Sequence, residues 1–387
     1  MMTCTLRAGG ALLCLAGLLF YGFGTINPYP IRLAALSLVV GMGLLAWTWH
    51  EMPWPRDRVT VAVLLVLAYG ASSLAWSPDW REGVLSLQML AISAGLFICL
   101  RFTDRGWLGR AVPVVAALAV GGSLAYSFTD RLLFGGMGNE NFQAEFLLPL
   151  IPLCLIGVAT WRRGWTWAIP CASAAASYLA IWNLSNARWM GIAGLGALLM
   201  GALWLHGYRR FAAWLTIGGM AVAALLFPWW PVSSILQRLE LSYNTTLMWL
   251  DRPLLGAGLG GFNYLYPFYQ ESHPAWIDGR SIHKLWLYAG ATHNEFVQAL
   301  AMFGIAGVAL IAFAFGLIVN GYQDDALGRG GLAALAICLG MATVGFPFQN
   351  PSTAVVAIVA LAAVAGPLDR RVHSGRKSVP VVSRSAG

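Results

Sequence analysis

Charge is what this sequence has least of. Its 387 residues include 24 Lys and Arg and 16 Asp and Glu, 10% together, against 58% hydrophobic residues. A soluble domain carries about 25% charged residues. The ionic groups present cannot cover the water-facing surface of a globule this size, which excludes a soluble enzyme or binding module. Cysteine is sparse and unpatterned. Cys4, Cys14, Cys99, Cys154, Cys171 and Cys338 lie near the N-terminus or in apolar stretches without CxxC spacing, so neither a disulfide framework nor a zinc site is expected. The net charge of +8 is spread along the chain, with no basic run inside an aromatic platform. Nucleic acid is therefore not an expected partner, and the basic excess points to membrane orientation instead. No repeat with a period of 20 to 50 residues is evident.

What is present is a succession of apolar runs. They centre on residues 11–25, 31–49, 59–76, 84–100, 111–128, 143–160, 166–182, 189–206, 212–230, 293–319, 331–346 and 354–368. A spanning helix takes roughly twenty residues, so the pattern predicts an all-α, polytopic integral membrane protein of about 12 helices. Residues 1–368 form one membrane domain, with a long loop at 231–292 between the ninth and tenth helices, and 369–387 form a basic tail. The first run lacks a small-residue cleavage site before Asn27 and Pro28, so it reads as a retained helix.

Basic residues alternate between the gaps. One set of gaps holds Arg7, Arg56, Arg58, Arg101, Arg105, Arg110, Arg162, Arg163, Arg209, Arg210, Arg329 and the basic tail, two thirds of the 24 Lys and Arg. The positive-inside rule places that set, and both termini, in the cytoplasm. Arg32, Arg81, Arg131, Arg188, Arg238, Arg252, Arg280 and Lys284 then lie on the opposite side.

With the sides assigned this way, the unusual polar segments share the extracytoplasmic face: Gly138-Asn139-Glu140-Asn141-Phe142, Ser185-Asn186-Ala187-Arg188, the long loop, His293-Asn294-Glu295-Phe296 and Phe346-Pro347-Phe348-Gln349-Asn350-Pro351. Polar groups at a membrane boundary are costly unless paired or hydrated, so such a cluster marks a site; ordinary polar loops are the other reading. Within the long loop, Leu236, Leu239, Leu247, Met248, Trp249 and Leu250 predict an amphipathic helix lying in the interface and ending at Pro253. The glycine run Gly256-Ala257-Gly258-Leu259-Gly260-Gly261 follows. It is either a close-packing turn or a backbone cradle for an anion, and it lacks the GxxxxGK[ST] pattern. Tyr264, Tyr266, Phe268, Tyr269, Trp276, Trp286 and Tyr288 suit an interfacial aromatic belt or a sugar-stacking surface.

Arg188 and Arg238 are always charged and present a planar fork suited to phosphate oxygens, so together they would suit a diphosphate held near lipid; either alone could snorkel to headgroups. His293, at the start of the tenth run, has a side chain able to take a proton from a hydroxyl near neutral pH. Helical spacing would turn Glu295 away from it, so Glu295 is not automatically its orienting partner. His273, His283 and His293 are spaced ten residues apart, which matches no zinc pattern, and no metal is expected.

Taken together, these segments resemble the O-antigen ligase family, within a superfamily that includes O-antigen polymerases and protein O-oligosaccharyltransferases. The carrying residues are the 138–142 and 185–188 segments, Arg238, the run from Arg252-Pro253 to Gly260, His293 to Phe296 and Phe346-Pro347-Phe348. The resemblance implies a glycosyltransferase of the bacterial inner membrane with a periplasmic active site. Its donor would be a glycan on undecaprenyl diphosphate and its acceptor a hydroxyl of lipid A-core, with no cofactor or metal; attack opposite the diphosphate leaving group predicts inversion. It implies that His293 activates the acceptor and that Arg188 and Arg238 bind the diphosphate. Asn139, Asn141, Arg252, Gly258, Gly260, Asn294 and Glu295 are the expected substrate-binding residues. Ala187 stands where the family more often has serine. A polymerase with a second carrier-linked glycan as acceptor is the alternative, and the lack of a large C-terminal soluble extension disfavours a protein O-oligosaccharyltransferase. A transporter of lipid-linked glycan would need polar groups at mid-membrane depth, where these runs are nearly uncharged.

Overall fold

The computed structural model describes residues 57–133, 140–161, 168–183, 232–272, 292–343 and 345–365, together with Gly10 and Gly41. Among them every regular element is a helix: α1 Arg58–Ser73, α2 Trp80–Phe102, α3 Arg105–Leu133, α4 Glu140–Thr160, α5 Ala168–Asn183, α6 Val232–Asp251, α7 Gly261–Ser272, α8 Glu295–Asn320, α9 Ala326–Met341 and α10 Pro351–Val364. Among the described residues, four segments are long and apolar enough to cross a membrane: Trp80–Arg101, Arg105–Leu124, Gln143–Thr160 and Glu295–Asn320. The apolar runs at 11–25, 189–206 and 212–230, and that at 31–49 apart from Gly41, lie outside the described residues.

Local chemistry sets the helix starts. Asp57, Asp79, Asn294, Asp325 and Asn350 each cap a helix by accepting hydrogen bonds from N–H groups of its first turn, satisfying donors that have no partner inside the helix. α6 ends at Asp251, two residues before Pro253, as expected from the bias of pre-proline residues against helical backbone. The main core lies between α2, α3, α4, α9 and α10, around Phe146, Leu147, Leu148, Leu153, Leu335 and Val355. A smaller core of Leu241, Met248, Phe262, Tyr266 and Ala301 seats α6 and α7 on α8. Outward, α6 and α7 expose Leu239, Leu250, Tyr264 and Phe268.

The helix ends form two groups. At one end Arg101 pairs with Asp57 at 2.7 Å. There too, Arg105 donates to Asp325 at 2.6 and 2.7 Å and to the Ala363 carbonyl at 2.9 Å, tying α3 to α9 and α10. At the other end the α1–α2 connection, the chain after α6, the start of α8 and the α9–α10 turn meet.

α8 is broken near this second end. Gly304 has φ 61° and ψ −174°, which interrupts the helical ladder. The segment after α6 repairs it. Ala257 and Gly258 N–H donate to the Ala301 and Met302 carbonyls, both at 2.8 Å. In return Ile305 and Ala306 N–H donate to the Pro253 and Leu254 carbonyls at 2.9 and 3.1 Å. Tyr69 of α1 donates its hydroxyl to the Phe303 carbonyl at 2.6 Å. Irregular backbone in an apolar setting is tolerated only when its polar groups are satisfied by protein or water, and this loop supplies the partners.

Candidate functional site

The site is assembled where the buried polar residues of α4, α8 and the α9–α10 turn coincide. Gln143, Glu145, Thr292, Glu295 and Gln298 are all buried. Glu295 accepts from Phe348 N–H at 3.0 and 3.1 Å and from Gln349 N–H at 2.9 Å, while its own N–H donates to the Ala342 carbonyl. Gln298 and Gln349 exchange side-chain amide hydrogen bonds at 3.2 and 2.9 Å. The start of α8 is thereby fastened to the turn at 345–350. Glu145, one turn into α4, accepts from the Phe346 N–H of the same turn and interacts electrostatically with Glu295 and with Arg238 of α6.

His293 is not part of α8. It precedes the cap Asn294 with φ +56°, the one left-handed non-glycine backbone among the described residues. Helical spacing therefore does not govern where it points, in contrast to the sequence expectation. The conformation costs a β-carbon residue roughly 1–2 kcal/mol, so its surroundings must hold it. Thr292 does so: its hydroxyl donates to the Asn294 carbonyl at 2.6 Å and accepts from Asn294 N–H at 3.1 Å, and its N–H donates to Gln298 at 3.1 Å. The imidazole packs edge-on against the Phe346 ring, with centroids 4.9 Å apart.

Burial, and after it the nearby Arg238 guanidinium, lowers the His293 pKa from its ordinary 6.5 to about 4. The imidazole is uncharged at neutral pH and able to accept a proton. Arg238 is half-buried; burial lowers its pKa, with the Glu145 carboxylate acting in the opposite direction. A guanidinium, a neutral imidazole and a carboxylate thus share one polar cluster at the end of an apolar bundle, able to bind an anion, take a proton and accept a hydrogen bond.

The remaining expected site residues fall in different places. Arg188, Asn139, His273 and His283 lie outside the described residues, and Asn141 is placed only as backbone in the first turn of α4. Asn294 has a capping role, accepting from Val297 N–H at 3.2 Å. Arg252 is exposed beyond the end of α6. In the glycine run, Gly258 N–H is bound to the Met302 carbonyl, and a Cβ on Gly258 or Gly260 would strike the Ser73 carbonyl or the backbone of Asp79 and Gly83, so both glycines allow close packing of this loop against α1, α2 and α8. Glu145 is not among the candidates named above, although it is the single carboxylate in the apolar segment Gln143–Thr160, a placement that signals function by default. Among the described residues no three His, Cys, Asp or Glu converge as a metal site. The chain matches no protein-family model and no curated protein.

Proposed function

We propose that the chain is an O-antigen ligase: a membrane-embedded glycosyltransferase that moves a glycan from undecaprenyl diphosphate to a hydroxyl of lipid A-core at the periplasmic face of the bacterial inner membrane. The observation that carries this reading is the polar cluster in which the uncharged His293, edge-on to Phe346 of the α9–α10 turn, lies within electrostatic reach of the Arg238 guanidinium. The periplasmic placement rests on the uneven distribution of Lys and Arg between the gaps.

In this proposal His293 accepts the proton of the acceptor hydroxyl as its oxygen attacks the anomeric carbon. The bond from that carbon to the diphosphate oxygen breaks, and the bonding pair leaves with the diphosphate. Arg238, joined by Arg188, stabilises the charge gathering there, which is the largest task left when the leaving group is already activated. Attack opposite the leaving group inverts the anomeric carbon. The apolar faces of α6 and α7 rest in the lipid interface, where the donor's polyprenyl chain is held.

The test is to incubate purified protein with a carrier-linked glycan and either lipid A-core or a second carrier-linked glycan. Glycosylated lipid A-core is the expected product. Carrier-linked polymer alone would replace the ligase by a polymerase, and no transfer to either would overturn both.

A further inference from the structure

One oxygen in the cluster lacks a partner. Glu145 is 2% exposed, and its Oε2 meets no hydrogen-bond donor among the described residues, although the carboxylate accepts from Phe346 N–H. Glu295, nearby, has both oxygens engaged. A buried acceptor left unpaired costs about 1–3 kcal/mol, more when charged, and native interiors contain few. The position is nevertheless built for this carboxylate. Any Cβ at residue 345 would run into Glu145 Oε1, so Gly345 is what lets the carboxylate lie against the turn. Phe346 joins the two halves of the cluster, its N–H on Glu145 and its ring on His293, with Arg238 electrostatically coupled to both Glu145 and His293.

A hydroxyl fits this oxygen in either protonation state, since it donates to a carboxylate and accepts from a protonated carboxyl. A phosphate is repelled by the charged form and matches the Arg238 guanidinium instead. Two receptors of opposite polarity side by side suit a ligand with an anion and O–H groups only a few bonds apart, as in a glycosyl diphosphate. We propose that Glu145 Oε2 accepts a hydrogen bond from a hydroxyl of the sugar attached directly to the diphosphate, making Glu145 a substrate-binding residue that reads the first donor sugar. This rests on the donor class proposed above.

The experiment compares binding of two ligands to the purified full chain: bare polyprenyl diphosphate, and the same carrier bearing one sugar. A hydrogen bond from a hydroxyl to a buried carboxylate is worth roughly tenfold in affinity or more, so the wild type should prefer the glycosylated carrier by about that factor. Glu145→Ala should bind the bare carrier no more weakly than wild type and lose the preference. Glu145→Gln, which keeps a carbonyl acceptor without the charge, should retain about threefold, because charge-assisted bonds are about twice as strong as neutral ones; it also decides the matter if the alanine variant does not fold. An undiminished preference in the folded variants, or no preference in the wild type, overturns the role of Glu145 and leaves the donor class standing. A wild type that binds neither carrier overturns the donor class and this inference together.

Discussion

Replacing Glu295 by alanine removes the acceptor of two backbone N–H groups, those of Phe348 and Gln349, which now reach it at 2.9 to 3.1 Å. Both bonds are partly buried, so the low end of the penalty for an unpaired donor applies, about 1 kcal/mol each. The sum, about 2 kcal/mol, corresponds to roughly thirtyfold faster opening of the α9–α10 turn. Local opening is read directly by amide hydrogen exchange, so the assay is exchange measured over a peptide covering 345–350. Glu295→Gln keeps one carbonyl acceptor and should show roughly a fivefold acceleration. Exchange along α9 before Met341, whose hydrogen bonds do not involve Glu295, is the internal control. Wild-type exchange at Phe348 and Gln349 in Glu295→Ala would refute the claim that this carboxylate fastens the turn.

Two further predictions concern the loop and the imidazole. Gly258→Ala, at φ +82° and with its Cβ against the Ser73 carbonyl, should lower thermal stability in detergent by at least the ~1–2 kcal/mol cost of a left-handed alanine. Gly316→Ala, with nothing within 4 Å of its Cβ, should not; unchanged stability together with lost donor binding in Gly258→Ala would favour the anion cradle over the packing role. Because the His293 pKa is lowered from 6.5 to about 4, the imidazole stays in its basic form down to that pH. For the proposed transfer the acid limb of kcat/KM should therefore lie near pH 4, and that of kcat higher, since a bound diphosphate would offset the charge of Arg238. The same shift makes folding stability fall as pH drops from about 6.5 to about 4 and level off below, because the unfolded chain takes up the proton first. A kcat/KM limb near 6.5 would show that His293 is neither buried nor beside Arg238 in the working protein.

The helical class was legible because apolar runs report spans directly. The runs at 59–76, 84–100 and 143–160 correspond to α1, α2 and α4 with ends displaced by a few residues, and the amphipathic stretch of the long loop is α6. The glycine run was ambiguous for a physical reason. A left-handed glycine serves equally an anion cradle or a close backbone approach, and the partner that decides, the break at Gly304 in α8, lies over forty residues away. From the apolar run it opens, His293 reads as helical, whereas the Asn294 cap and the Thr292 clamp place it outside α8. Glu145 is hard to single out from sequence because it sits inside an apolar run, beyond the end of the 138–142 segment. Its position on the same helical face as Asn141, four residues earlier, was the signal available.

The central claim is that His293 takes the acceptor's proton in a pocket whose guanidinium holds the donor. The most direct measurement is single-turnover glycan transfer by folded His293→Ala protein, alongside its affinity for the carrier-linked donor. Loss of a general base typically costs 10²–10⁴-fold, so transfer should fall by at least about a hundredfold while donor binding stays near the wild-type value. Transfer at the wild-type rate by the folded variant would contradict the account.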